Sequence, residues 1–414
     1  MSTAISTDLD DLGLFQRGEA WQAFDALRRT DPVSWTRERS GAGYWSLTRH
    51  ADIVRALRDT ATFTSEKFVN LEEVDDDLAG IRRSMLETDG PRHRALRQVL
   101  QRDFTPRWLA GYETFLRGLT ASTVDNALAK GTFDFVREVS ADFPIRVLAR
   151  MLGVPDEDTG QLIEWGNRII GNTDPDYADV LLGSTDSDQY RHLPFRSPAS
   201  LEVFAYGEEL AARRRGADGE DLVSKLVNRM PRDGVPLSET DFRNYFLLLV
   251  VAGNETTRHA ISHAMLALLE NPGQLVLLRE RPELIPGEVE EFLRWASPVY
   301  HFRRTATVDV VLGGRRISAG DKVVLWFAAG NRDPGVFAEP HRFDVTRSPN
   351  DHLAFGKGGP HFCLGSHLAR LELRLMFTEL VARISSIRLT ATPRRVRSNF
   401  VNGLKDLPVS VTAR

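Results

Sequence analysis

From residue 92 to about 293 the apolar residues recur at helical spacing. Turn-forming punctuation interrupts them only at Asp174-Pro175, Ser197-Pro198, Gly216 to Gly219 and Asn271-Pro272-Gly273. A chain whose middle is written this way must bury helical stripes against one another, so its bulk is α. Strand-like patterning is confined to the flanks. Residues 32–35 and 44–48 read as short strands around Ser40-Gly41-Ala42-Gly43, with a helix over 51–59, and strand character returns over 308–312, 322–327, 387–391 and 409–412. No repeat, low-complexity tract or Ser/Gly linker breaks the chain. The expected architecture is one domain over 1–414, mainly α with a minor β region. Parts of 30–60 and 299–330 with the C-terminal strands build the β region, and 92–293 and 364–385 form the α bulk.

A chain of 414 residues with 42% hydrophobic content can enclose a cofactor. Its net charge of -4 provides no global attraction to nucleic acid or anionic membrane, so neither is expected as a partner. The strongest apolar run, 246–252, is too short to cross a bilayer, and the N-terminal stretch 1–16 is polar; a cytoplasmic protein without a membrane anchor is expected. A single cysteine excludes an internal disulfide framework, a Cys-rich zinc module and an all-cysteine iron–sulfur cluster, and fits a reducing compartment. Electrons, where needed, must come from another protein.

That cysteine, Cys363, stands between the glycine-rich turn Phe355-Gly356-Lys357-Gly358-Gly359-Pro360-His361-Phe362 and an apolar helical pattern beginning at Leu364. A helix N-terminus favours S⁻ over SH, and the glycines let the backbone approach a flat ligand. The pattern suits a metal-binding thiolate. It equally suits a buried core cysteine, the usual fate of a free thiol. The turn is no phosphate loop, because no Gly-Lys-Ser/Thr or dinucleotide glycine spacing follows a strand.

Three further patterns carry chemistry. The most apolar helix is interrupted by Ala252-Gly253-Asn254-Glu255-Thr256-Thr257. Gly253 weakens that helix and the Thr256 hydroxyl can take the Ala252 carbonyl four residues back, opening a groove where an acid and an alcohol pass protons inward. A helix simply passing from core to solvent would read the same way. Glu291 and Arg294 share one helix face and are an ordinary surface pair unless buried with a third group such as Arg342. His93 and Arg97 at i,i+4 spacing, Arg304 before a strand, and His361 are each surface residues when taken singly. Together they could pair with two carboxylates of a planar cofactor.

In this order the elements resemble the cytochrome P450 family of haem-thiolate monooxygenases, over nearly the whole chain. The residues that carry the resemblance are 89–97 (Asp-Gly-Pro-Arg-His-Arg-Ala-Leu-Arg), 252–257, Glu291 to Arg294, Arg304-Thr305-Ala306, Asn331-Arg332-Asp333-Pro334 and the Cys363 turn. The resemblance implies a triangular α-rich fold around haem b, with Cys363 as the iron's axial ligand. It implies Glu255 and Thr256 as the acid–alcohol pair for dioxygen cleavage, and Glu291, Arg294 and Arg342 as a structural network. His93, Arg97, Arg304 and His361 would hold the haem propionates, with Phe355, Gly365 and Ala252 also against the cofactor. Thiolate donation favours O–O cleavage, and protein groups supply positioning and protons.

Phe355 stands eight residues before Cys363, where most family members have seven. With residues 398–403 and 171–175, that spacing resembles bacterial members that oxidise methyl-branched lipids, sterol side chains or terpenoids. By position against the family, Met85, Leu86, Leu248, Val299, Phe302 and Phe400 would line an apolar substrate pocket, and Arg191, His192 or Arg196 could meet an anionic head group. The implied activity is oxygen insertion into a C–H bond of a small, largely apolar molecule, using O2 and electrons from a ferredoxin and its reductase. Lys357, Arg92 and Arg94 are candidate docking residues, and a monomer is expected. The alternatives are a peroxide-driven haem enzyme and a non-catalytic haem or ligand-binding protein.

Overall fold

The computed structural model describes residues 6–39 and 41–414, so Ser40 of the first turn and the first five residues lie outside it. The middle of the chain is helical as its periodicity demands, and the centre of the packing is one long helix, Glu239–Glu270. Ser238 starts it with a capping box: its hydroxyl accepts from the Asp241 N–H at 3.0 Å while the Asp241 carboxylate accepts from the Ser238 N–H at 3.1 Å. Asn271 and Pro272 end it. Apolar on nearly every face, this helix is buried among neighbours, including Asp142–Leu152, Thr159–Ile170, Ala199–Arg214 and Ile285–Ala296.

The helix that follows the cysteine, Ser366–Arg383, packs on Glu113–Lys130 and on Ile285–Ala296. Phe292 and Phe377 meet there with ring centroids 4.4 Å apart. Burying one such ring contributes about 1.5–3 kcal/mol.

The β content lies where the flanks of the sequence placed it. A five-stranded sheet runs Val33–Thr36, Tyr44–Leu47, Lys322–Trp326, His301–Ala306, Phe63–Thr64. Its pairings are antiparallel except that of Tyr44–Leu47 with Lys322–Trp326, where Trp45 stands opposite Val323. A second sheet joins Thr132–Asp134, Pro408–Ala413 and Ile384–Leu389. Two positions differ from expectation. The small strand Thr132–Asp134 interrupts the α bulk, recruited as an edge by Pro408–Ala413. Arg304 lies within the strand His301–Ala306, not before it. Alternation along that strand turns Phe302 and Arg304 to one face and Arg303 to the other, where Arg303 donates to the Glu72 carbonyl at 3.2 Å.

Candidate active site

The glycine-rich turn closes on itself: the Cys363 N–H donates to the Phe355 carbonyl at 2.9 Å, so the eight-residue spacing forms a hydrogen-bonded loop beneath the sulfur. Glycine is required at 359, because a Cβ there would stand 2.1 Å from the Leu57 carbonyl of the helix His50–Arg58. The Phe355 ring is sandwiched by Phe362, at 6.3 Å between centroids, and the Arg370 guanidinium, 4.6 Å from its centre. Gly365 precedes the first turn of Ser366–Arg383 and aims its N–H at the sulfur. Burial nevertheless pushes the thiol up from its ordinary range, against that N–H and the nearby Arg97 and Arg370. The helix terminus alone does not make the free thiol a thiolate; a cation on the sulfur is needed. Cys363 is at once deep enough for burial to dominate its titration and accessible to solvent, so it borders an internal space.

Around that space the basic residues are arranged unevenly. Arg304 is 1% exposed, donates only to the Arg303 carbonyl at 2.8 Å, and leaves its Nε without a partner. Burial lowers its pKa to about 10, the mark of a cation lacking an anion. Arg97 is lowered for the same reason. The His93 nitrogens face two backbone carbonyls, Met85 at 3.1 Å and Pro360 at 3.3 Å, yet burial keeps the ring neutral, with one N–H for two acceptors. His361 lies against it, ring centroids 4.0 Å apart. Its Nε2 already donates to Asp89 at 2.8 Å, and Asp89 also accepts from Thr64 and the Ser65 N–H at 2.6 and 2.8 Å. Asp89 is the member of this cluster that sequence reasoning missed; it sits just before Gly90 at the start of the helix Gly90–Leu100. A buried and a half-buried guanidinium, both under-partnered, and a doubly faced imidazole beside an accessible thiol form a cradle that fits a planar dianion held by sulfur.

In the central helix, the Thr256 hydroxyl donates to the Ala252 carbonyl at 2.8 Å as expected, but the helix continues unbroken through both. Ala252 is exposed in the middle of this otherwise buried helix because it borders a cavity. Glu255 departs from expectation. It is 3% exposed, close to Arg258 at 3.2 Å and His259 at 3.3 Å, and abuts Gly166, where a Cβ would come within 2.9 Å of its Oε1. Burial raises its pKa, but Arg258 and His259 more than offset this and hold it ionised. The carboxylate is ion-paired, not open to solvent, because its partners lie three and four residues on along the same helix face. Glu255 lines the cavity and also a small adjoining one bounded by Asn167, Tyr177, Arg258 and His259.

Of the expected pocket residues, Leu86, Leu248, Val299, Phe302 and Phe400 line the cavity. Met85 does not: the short turn Met85–Glu87 sends it into the core, with its sulfur 3.5 Å from the Tyr245 hydroxyl. Nor do Arg191, His192 and Arg196. Arg196 is occupied by Glu72 and Asp188 at 2.8 and 2.7 Å, Arg191 is an exposed residue beside Asp75, and His192 is exposed; the segment offers Pro194 and Phe195 to the cavity instead. Polar residues missed by sequence reasoning, Asn70, Arg82 and Asn244, also form part of the wall.

The Glu291–Arg294 pair is buried, with two contacts of 2.7 Å, and Arg294 also donates to the carbonyls of Asn331 and Pro340 at 2.9 Å. Arg342 contributes only its carbonyl, at 3.2 Å; its side chain is exposed and turned to Glu339. The third charged member is Arg347, 3.1 Å from Glu291. Among the docking candidates, Lys357 is paired with Asp351, and Arg92 with Asp233 and Asp241 at 3.0 Å each, while Arg94 is exposed.

The chain is similar to known proteins over most of its length. The sequence pattern of the family described as Cytochrome P450 matches residues 280–390. The methyl-branched lipid omega-hydroxylase of Mycobacterium tuberculosis is 40% identical over 402 residues, covering 94% of this chain and 90% of that one. The linalool 8-monooxygenase of Pseudomonas putida is 36% identical, covering 97% and 98%. Among solved structures, a Mycobacterium marinum cytochrome P450 in complex with pseudoionone superposes with a TM-score of 0.88 at 36% identity, covering 99% of both chains. The chain belongs to the cytochrome P450 family. It is a haem-dependent monooxygenase, an oxidoreductase that acts on a small molecule with O2. Among the described residues no helix is long and apolar enough to cross a membrane.

Proposed function

We propose that this protein hydroxylates a C–H bond of a largely apolar lipid or terpenoid, carrying haem b on Cys363 and receiving electrons from a separate ferredoxin and reductase. The observation that carries this is the accessible thiol bordering an internal space beside the half-buried Arg97 and the buried Arg304, neither of which has an ion pair among the described residues. Bound there, the haem supplies dioxygen activation. Cys363 would hold its iron, and Arg97, Arg304 and His93 its propionates, with His361 joining by exchanging Asp89 for a propionate. Phe355 would fix the sulfur's height by accepting from the Cys363 N–H, Gly365 would donate to the sulfur, and Ala252 would leave room for the group. Thr256 holds a proton at its Oγ, released by leaving the Ala252 carbonyl. Glu255 positions the adjoining polar cavity with Arg258 and His259, through which protons resupply Thr256. The relatives named for methyl-branched lipids and linalool support an apolar substrate, as do Leu86, Leu248, Val299, Phe302 and Phe400 in the wall. A single cytoplasmic domain acting as a monomer completes the reading, with Arg94 the docking candidate left without an ion pair.

The test is the carbon monoxide adduct of the reduced protein. It should show the red-shifted band of thiolate haem, and Cys363→Ser should abolish it. Thr256→Ala should consume electrons without matching product, with ferredoxin and reductase present and peroxide absent. Turnover only with peroxide would refute the electron-transfer reading.

A further inference from the structure

The cavity has a polar end. Asn244 lies on the central helix two turns before Ala252, and its Nδ2 donates to the carbonyls on either side of Arg82, Ile81 at 2.7 Å and Arg83 at 3.2 Å. That bonding fixes the amide's orientation and leaves Oδ1 without a partner in a residue 2% exposed. Arg82, 5% exposed, spends both terminal nitrogens on Glu72 at 2.7 Å each and leaves Nε unpartnered. Its guanidinium stands 5.4 Å from the centre of the Phe68 ring. Asn70, two residues on, has an unpartnered Oδ1 as well. All three residues line the cavity, whose wall is otherwise mostly apolar. Buried polar atoms without partners cost stability, and a cavity occupant is what can satisfy them.

We propose that this cluster is the subsite for an uncharged hydroxyl-bearing head group of the substrate, whose O–H is shared between the Oδ1 atoms of Asn244 and Asn70 and whose oxygen accepts from Arg82. A carboxylate is disfavoured: the Arg82 charge is already matched by Glu72, Glu87 also lines the cavity, and two of the three orphan atoms are acceptors that repel an anion. From Asn244 to Ala252 and to Thr256 is about 12 and 18 Å at 1.5 Å per residue, so the oxidised carbon lies remote from the hydroxyl, at or near the far end of the molecule. The assignment rests on the monooxygenase reading above and adds the head group and the region oxidised.

Dodecanol, dodecane and dodecanoate test it on the haem-loaded protein, with binding read by equilibrium dialysis, which does not depend on the haem spectrum. Dodecanol should bind about five- to tenfold more tightly than dodecane, the worth of one or two neutral hydrogen bonds, and more tightly than dodecanoate. The advantage over dodecane should fall in Asn244→Leu and in Asn70→Leu, and the product should carry its new hydroxyl away from the first. Asn70 makes no other side-chain hydrogen bond among the described residues, so Asn70→Leu decides the matter if Asn244→Leu does not fold. Equal binding of alcohol and alkane, a preference that survives Asn70→Leu, or tighter binding of dodecanoate overturns the subsite. Loss of the thiolate band would refute the parent reading instead, whichever way the dialysis falls.

Discussion

Glu288 is fully buried, and neither of its carboxylate oxygens has a partner. Burial alone pushes its pKa up to about 9, so it is protonated in the folded protein at neutral pH. A folded value above the unfolded one means the proton's contribution is present below the ordinary value of 4.5 and is lost as pH rises toward 9. Glu288→Met should therefore raise unfolding stability by about 1–3 kcal/mol and flatten the loss between neutral and alkaline pH, as read by urea titration. Glu255→Gln acts oppositely. It leaves the buried Arg258 charge unpaired and should cost about 3–5 kcal/mol in the same measurement. The sequence placed Glu255 beside Thr256 on one helix, but not the direction its carboxylate takes. Arg258 and His259 were both visible at the right spacing to predict that direction. Gly166, which makes room for the acid, lies on another helix and has no local signature.

At the scale of elements, the irregular segment that carries Arg347 is held to the helix Ile285–Ala296 through Glu291, Arg294 and Arg347. Arg347→Ala should cost about 1.5–3 kcal/mol by chemical denaturation, because it strips one of two cations from a buried carboxylate that keeps Arg294. Arg342→Ala should change stability by no more than about 0.5 kcal/mol, since that side chain lies on the surface. Helix spacing made the Glu291–Arg294 pair legible. Which later arginine joins them depends on how an irregular segment folds back, and no periodicity records that. Strands and helices were readable where side-chain alternation was strong. The edge strand Thr132–Asp134 was not, because its pairing with Pro408–Ala413 is made entirely by distant sequence.

At the scale of the whole molecule, several histidines are kept neutral by burial. His50 and His301 are both lowered to about 4, and His263 is pushed well below its ordinary value. Nearby charges modify this: Lys357 lowers and Asp333 raises His50, while Arg395, His259 and Arg332 lower His263. Each unfolded histidine takes up a proton as pH falls through 6.5, and the folded one refuses it until about 4 or below. Stability is full above 6.5 and declines toward 4. Thermal melts across that window should show Tm falling before the carboxylates titrate, and His301→Asn should lessen the slope. The α bulk, the flanking strands and the residues of the thiol turn were legible because each depends on local pattern. The polar end of the cavity was not, because Asn70, Arg82 and Asn244 meet only once the chain is folded.

The contact between Gly359 and the Leu57 carbonyl has a consequence for how such a chain is made. The loop presenting the sulfur is seated on a helix synthesised near the beginning, and most of the chain lies between them. Closing that contact is a late, long-range event. A growing chain on the ribosome therefore cannot seat the sulfur in its finished loop until everything between residues 57 and 363 has emerged and packed.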